Sequence, residues 1–167
     1  QDTMSALTKS IIGINEHDVY LKKLYPIHDM VYEPKPIKIY IDSYGGLVYQ
    51  CFGLIGIIEN SVTPIHTIVT GAAMSCGFLI LIAGHKRFGY KHSTPLYHQV
   101  STGFRGKVQE LEESLEEAKR LQDKIEAFTL ERTKIPKKKL KSVLKNKVDW
   151  YMTPHEALEL GVIDEIV

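Results

Sequence analysis

The sequence holds only two cysteines, Cys51 and Cys76, and no apolar stretch long enough to cross a bilayer. The two thiols lie far apart in the chain and fit no metal-ligand pattern. The longest apolar run, residues 76–83, falls well short of the ~20 residues a membrane helix needs, so it reads as buried structure. Seven histidines show no HExxH-type spacing, and neither a metal nor another cofactor is expected. The formal net charge is only +1, so no global field draws the chain to nucleic acid or to an anionic membrane. No secretory leader is visible, which points to a reduced, cytoplasmic setting; the chain opens on Gln1 rather than Met, which reads as a trimmed end. What is left is 167 residues, 44% hydrophobic and 25% charged. That is enough for a single domain, residues 1–167, with a sizeable core.

Hydrophobic periodicity orders the chain. Residues 10–14 are a short apolar run that predicts a strand, and residues 17–32 have roughly helical spacing interrupted by Pro26. Ile37, Ile39 and Ile41 alternate with polar neighbours, a strand over 37–42, and Ser43-Tyr44-Gly45-Gly46 is a glycine turn. A mostly buried helix follows over 47–60, then a β-branched strand over 63–70. A turn packed with small residues, 71–77, leads into a buried helix over 78–83, and short strands are expected at 87–90 and 95–98. Residues 107–133 form the strongest helix, with acidic residues crowded in its first half, where the helix dipole favours them. Its length of roughly 40 Å at about 1.5 Å per residue is large for this domain, so part of it is expected to project and pack on a neighbouring subunit. Residues 134–147 carry seven lysines, read as a solvated surface because no aromatics interleave them. Thr153 and Glu156 form a capping box for a last short helix that Gly161 stops, and a final strand is expected to start at Val162-Ile163. Strand–turn–helix repeats with glycine turns imply an α/β fold with a largely parallel sheet.

Peptide hydrolysis needs a nucleophile, a base and donors for the oxyanion. Ser75 lies between a strand pattern and an apolar helix, among small residues that let a substrate approach. The string Ala73-Met74-Ser75-Cys76-Gly77 is one residue away from the GxSxG nucleophile elbow. On its own such a serine is more often a helix cap. His98 ends a short strand, a suitable place for a base and an equally suitable one for a structural histidine. Gly45-Gly46, after another strand, is either a plain turn or a source of backbone N–H groups for an oxyanion or an added peptide strand.

Taken in order, these segments carry a resemblance. Ile39-Tyr40-Ile41-Asp42-Ser43-Tyr44-Gly45-Gly46, Gly71-Ala72-Ala73-Met74-Ser75-Cys76-Gly77-Phe78-Leu79, Leu96-Tyr97-His98-Gln99, and Tyr151-Met152-Thr153-Pro154-His155-Glu156-Ala157 with Gly161-Val162-Ile163-Asp164 resemble the proteolytic subunits of Clp proteases, over residues 37–167. The resemblance implies a crotonase-type spiral of ββα units, with helix 107–133 as a protruding handle that joins two rings. It implies a serine endopeptidase with Ser75 as nucleophile and His98 as base. Backbone N–H groups of Gly45 and Cys76 would form the oxyanion hole, and Gly46 would hold the substrate. It implies a homo-oligomer of stacked heptamers around a closed chamber, acting on peptide or unfolded protein and fed by a ring ATPase.

Two departures stand beside it. The family's third triad member is an aspartate shortly before the C-terminal signature, and counting along the chain reaches Lys145 or Val143, neither acidic. Asp149 and Asn146 are the candidates; Asp149 is preferred because only it supplies charge to stabilise an imidazolium. The segment ahead of the first strand, which in the family meets the ATPase, is short if that strand begins at Ile11. A non-catalytic or partner-dependent subunit of the same fold is the alternative, and a crotonase-type acyl-CoA enzyme a more distant one.

Overall fold

Strand β2 (Ile65–Met74) is the spine of the molecule. The computed structural model describes all residues except 1, 102 and 104. β1 (Ile37–Ser43) runs parallel along one edge of β2. The other edge is shared: β3 (Lys86–Gly89) pairs with its first half and β4 (Thr94–Tyr97) with its second, both parallel. β6 (Glu165–Ile166) extends the sheet beyond β3, and β5 (Trp150–Tyr151) adds the one antiparallel pairing among the described strands, against β4. Helices α2 (Val48–Glu59) and α3 (Cys76–Ala83) supply the crossovers, so the expected α/β fold with a largely parallel sheet is what forms. The core lies between them and the sheet. Cys51, Leu54, Ile55 and Ile58 of α2 and Phe78, Leu81 and Ile82 of α3 are buried there against Ile65, Val69 and Tyr97.

The N-terminal segment corrects the expectation of a strand at 10–14. Residues there belong to α1 (Asp2–Leu24), followed by a 3₁₀ turn (Tyr25–His28) opened by Pro26. The apolar run Ile11-Ile12-Gly13-Ile14 looks extended locally, but only Ile11 is fully buried, while Ile12 and Ile14 are about two-fifths exposed. The inward stripe instead recurs with helical spacing through Met4, Leu7, Ile11, Asn15 and Asp18, buried at Ile11 and Asp18 and partly buried at the others. Its polar members have long-range partners. Asn15 Oδ1 accepts from the N–H groups of Val62 and Thr63, at 2.7 and 3.1 Å, and the Asp18 carboxylate accepts from Tyr32 and Thr63, both at 2.5 Å. The first described strand is therefore β1, and the strand expected at 10–14 is helix instead.

Two other boundaries move. The turn expected over 71–77 shrinks to Ser75, because β2 runs on through Gly71-Ala72-Ala73-Met74. Register slips between Ile41 and Ser43, and Asp42 fills the gap: its Oδ1 accepts from the Ala72 N–H at 2.9 Å. A side chain on Gly71 would meet that carboxylate at 2.7 Å, which explains the glycine. Residues 162–163 are buried but not yet strand; β6 starts at Glu165.

Helix α4 (Val108–Arg132) is the long helix expected at 107–133. Its second half is buried through Leu121, Ile125 and Phe128, whereas Val108 and Leu115 in its first half are at least half exposed. At its end Arg132 donates to the carbonyls of Ile82, Ala83 and Gly84, at 2.9–3.1 Å. This satisfies the C-terminus of α3 that no intrahelical donor reaches. Arg132→Ala is expected to cost about 2–3 kcal/mol in chemical denaturation, since three buried acceptors lose a charged donor. Helix α5 (Lys137–Asn146) takes up the lysine run and buries Leu140 and Val143. In α6 (Pro154–Glu159) the expected capping box is present: the Thr153 hydroxyl accepts from Glu156 N–H at 3.2 Å and the Glu156 carboxylate from Thr153 N–H at 2.8 Å. Gly161 at φ +65 then turns the chain. No described helix is long and apolar enough to cross a membrane.

Candidate active site

Three parallel strands end side by side, and the candidate residues follow their carboxyl ends, where α/β sheets usually place ligands. Gly45-Gly46 follows β1, Ser75 follows β2 and His98 follows β4. Ser75 adopts φ 55 and ψ −119, a conformation that side chains other than glycine avoid. Its N–H donates to Leu96 O at 3.2 Å, tying the turn to β4, and its carbonyl accepts from Leu79 N–H in the first turn of α3. The hydroxyl makes no capping hydrogen bond. The helix-cap explanation of this serine therefore does not apply. A strained backbone that a cap does not explain is held in place by the strand before it and the buried helix after it.

Ser75 and His98 line one cavity of about 240 Å³. Its apolar walls are Val48, Leu79, Val100 and Ile125, with Tyr97 behind. Burial pushes the Tyr97 phenol up to about 12. Gln122 of α4 accepts from Val100 N–H at 2.8 Å and its amide reaches Tyr97 Oη at 3.5 Å, so it fixes the segment after His98. None of Val48, Val100, Gln122 and Ile125 was legible as part of a site, because their convergence depends on α2 and α4 packing over β4.

Gly45 presses on Ser75. A Cβ placed there would lie 2.8 Å from Ser75 Cβ and 3.1 Å from Met74 O, and φ is +111. Gly45→Ala is thus expected to lower peptide turnover by at least ~10²-fold, through displacement of Ser75 and of the turn, while far-ultraviolet circular dichroism stays near that of the parent. The Gly45 N–H donates to Ser43 Oγ at 3.2 Å. The Cys76 N–H, at the first position of α3, has no intrahelical acceptor and stands beside Ser75. Gly46 lines the cavity from the other side, and its carbonyl accepts from Cys76 Sγ at 3.1 Å.

Ser75 and His98 make no hydrogen bond to each other, and neither Asp149 nor Asn146 bonds to His98. The two carboxy-terminal candidates differ in position, however. Asn146 ends α5, exposed, with its amide on Ser142 Oγ at 3.4 Å. Asp149 is exposed immediately before β5, whose antiparallel register sets Leu96 opposite Tyr151 and Tyr97 opposite Trp150. His98 follows the last paired residue of β4, and Asp149 precedes the first of β5.

A sequence model of the family described as Clp protease matches residues 18–167. The chain belongs to the Clp protease family. Among curated relatives, the ATP-dependent Clp protease proteolytic subunit of Deinococcus radiodurans is 35% identical over 133 residues, covering 78% of this chain and 64% of the relative. Proteolytic subunit 1 of Prochlorococcus marinus strain NATL2A is 34% identical, covering 79% and 67%, and subunit 2 of Bacillus licheniformis 34%, covering 80% and 70%. This Clp-family chain thus spans about two thirds of the length of the curated relatives it matches.

Proposed function

We propose that this Clp-family chain is a single-domain serine endopeptidase subunit of a self-compartmentalising ring protease. The observation that carries the reading is Ser75, held uncapped at a strained strand–helix junction in the cavity that His98 also lines. His98 takes the hydroxyl proton as Ser75 Oγ attacks the scissile carbonyl. The oxyanion that forms is held by the Cys76 N–H and by the Gly45 N–H once Ser43 releases it. His98 then protonates the leaving amine, and water resolves the acyl-enzyme by the same steps in reverse. The side chain before the scissile bond enters the 240 Å³ cavity, and Gly46 lies along the peptide backbone. A groove of about 820 Å³ between α2 and α4 continues from the cavity at Gly46, Val48 and Val100 and gives the rest of the peptide room.

Because Val48, Leu79, Val100 and Ile125 carry no charge, short fluorogenic peptides with leucine, methionine or phenylalanine before the scissile bond are expected to outpace aspartate or lysine by at least ~50-fold in kcat/KM. A fluorophosphonate should label Ser75. Folded, assembled protein that neither cleaves such peptides nor labels would sink the reading.

One observation favours a partner-dependent form of it. The Ser75–His98 bond is unmade and the Gly45 N–H is occupied by Ser43 in the single chain. The half-exposed start of α4 offers a surface for a second copy in stacked rings. Assembly would then complete the site, and peptide cleavage would rise with protein concentration more steeply than in proportion. Protein substrates are expected to need a ring ATPase to unfold them.

A further inference from the structure

The side chain of Cys76 turns to partners other than those of its neighbour Ser75. It lines the cavity that Ser75 and His98 share and is 5% exposed. Its Sγ donates to the Gly46 carbonyl at 3.1 Å, pinning the glycine turn to the start of α3. Behind it, Cys51 of α2 is sealed in the core, and its Sγ donates to the Cys76 carbonyl at 3.4 Å. The two thiols also act on one another. Cys51 is the largest influence on Cys76 and lowers that thiol, while Cys76 and burial both push the Cys51 thiol up. One cysteine thus lines the cavity and the other lies behind it in the core. That is the asymmetry of an attacking and a resolving thiol.

We infer that Cys51 and Cys76 form an oxidisable dithiol, and that a hydroperoxide closing them into a disulfide releases the Gly46 turn and shuts the site around Ser75. The closing clause rests on the serine-peptidase reading; the dithiol does not. The Cys76 thiolate attacks the distal peroxide oxygen, the O–O bond breaks, and water leaves with hydrogen peroxide as oxidant. Cys76 is then a sulfenic acid. The Cys51 sulfur attacks it, the S–O bond breaks, the Cys51 proton leaves with the hydroxyl as a second water, and the S–S bond forms. The effect on the site follows from stoichiometry. Both S–H groups are consumed, so Gly46 O and Cys76 O each lose their thiol donor whatever the final geometry. The glycine turn that abuts Ser75 loses its pin on one side of the cavity.

The test uses reduced, assembled protein treated with hydrogen peroxide, denatured, blocked with N-ethylmaleimide and digested. Expected are a chain lighter by two hydrogens, a linked peptide pair holding both cysteines, and about tenfold faster amide exchange over residues 44–48. Fluorophosphonate labelling of Ser75 should fall about tenfold, and dithiothreitol should reverse every change. Cys51→Ser should stop at the sulfenic acid, trapped by dimedone, with no linked pair; if this variant does not fold, linkage and exchange in the parent protein decide. Maleimide on both cysteines after peroxide, or a disulfide that leaves the exchange of 44–48 unchanged, overturns the inference. Protein that never labels at Ser75 defeats the peptidase reading instead, and linkage and exchange still decide the dithiol.

Discussion

Replacing Ser75 with alanine is expected to lower kcat for peptide cleavage by about 10⁴–10⁶-fold and to abolish fluorophosphonate labelling. The stability readout separates this from a structural role. A capping serine stabilises its helix by about 0.5–2 kcal/mol, so its removal lowers Tm. Ser75 makes no such bond, and its φ of 55 is as unfavourable for alanine as for serine. Ser75→Ala is therefore expected to leave Tm nearly unchanged. Ser75→Gly removes the Cβ that makes the conformation costly, and should raise Tm by about 2–4 °C while being as inactive as the alanine variant. A Tm that falls in both variants, with cleavage retained, would return Ser75 to the role of a cap. Strain relieved at the expense of turnover is the signature of a residue held for chemistry, since stability and activity then ask for different residues at one position.

Much of the framework around Ser75 is legible because it is local. The alternation of Ile37, Ile39 and Ile41, the helical stripe of α4 and the Thr153–Glu156 box each depend on residues a few positions apart, and each forms as its pattern predicts. The misreadings share a different cause. α1 turns Asn15 and Asp18 inward, polar residues whose partners lie in the 61–63 turn and at Tyr32, so the stripe cannot be recognised by hydrophobicity alone. β2 continues past Gly71 because the Asp42 side chain replaces a ladder partner, a contact across 30 positions of chain. The same division runs through the site. The glycine turn, Ser75 and His98 each follow a strand that can be read, so their convergence at one end of the sheet is legible once the strands are parallel. The apolar walls of the cavity come from α2, α3, α4 and the segment after β4, and nothing in the sequence marks them as neighbours.

Counting through α5 does not locate an acidic partner for His98, because helix length and the turn after it set the offset. The pairing of β4 with β5 does not depend on that count. It ends at Tyr97 and Trp150, so His98 and Asp149 are the residues next to the last pair, one on each chain segment. Asn146 is one turn of helix and a left-handed Lys147 away, with its amide turned to Ser142. Asp149→Asn is therefore expected to lower kcat by about 10²–10⁴-fold, because a neutral amide neither holds the productive tautomer nor stabilises the imidazolium. Its exposed side chain makes no contact that Tm would register. Asn146→Ala should stay within about twofold of the parent in both kcat and Tm, as exposed substitutions usually do. The reverse result, with Asn146→Ala inactive and Asp149→Asn unaffected, would assign orientation of His98 to the asparagine carbonyl. Loss in neither would leave a Ser75–His98 dyad, with no charged residue behind the base.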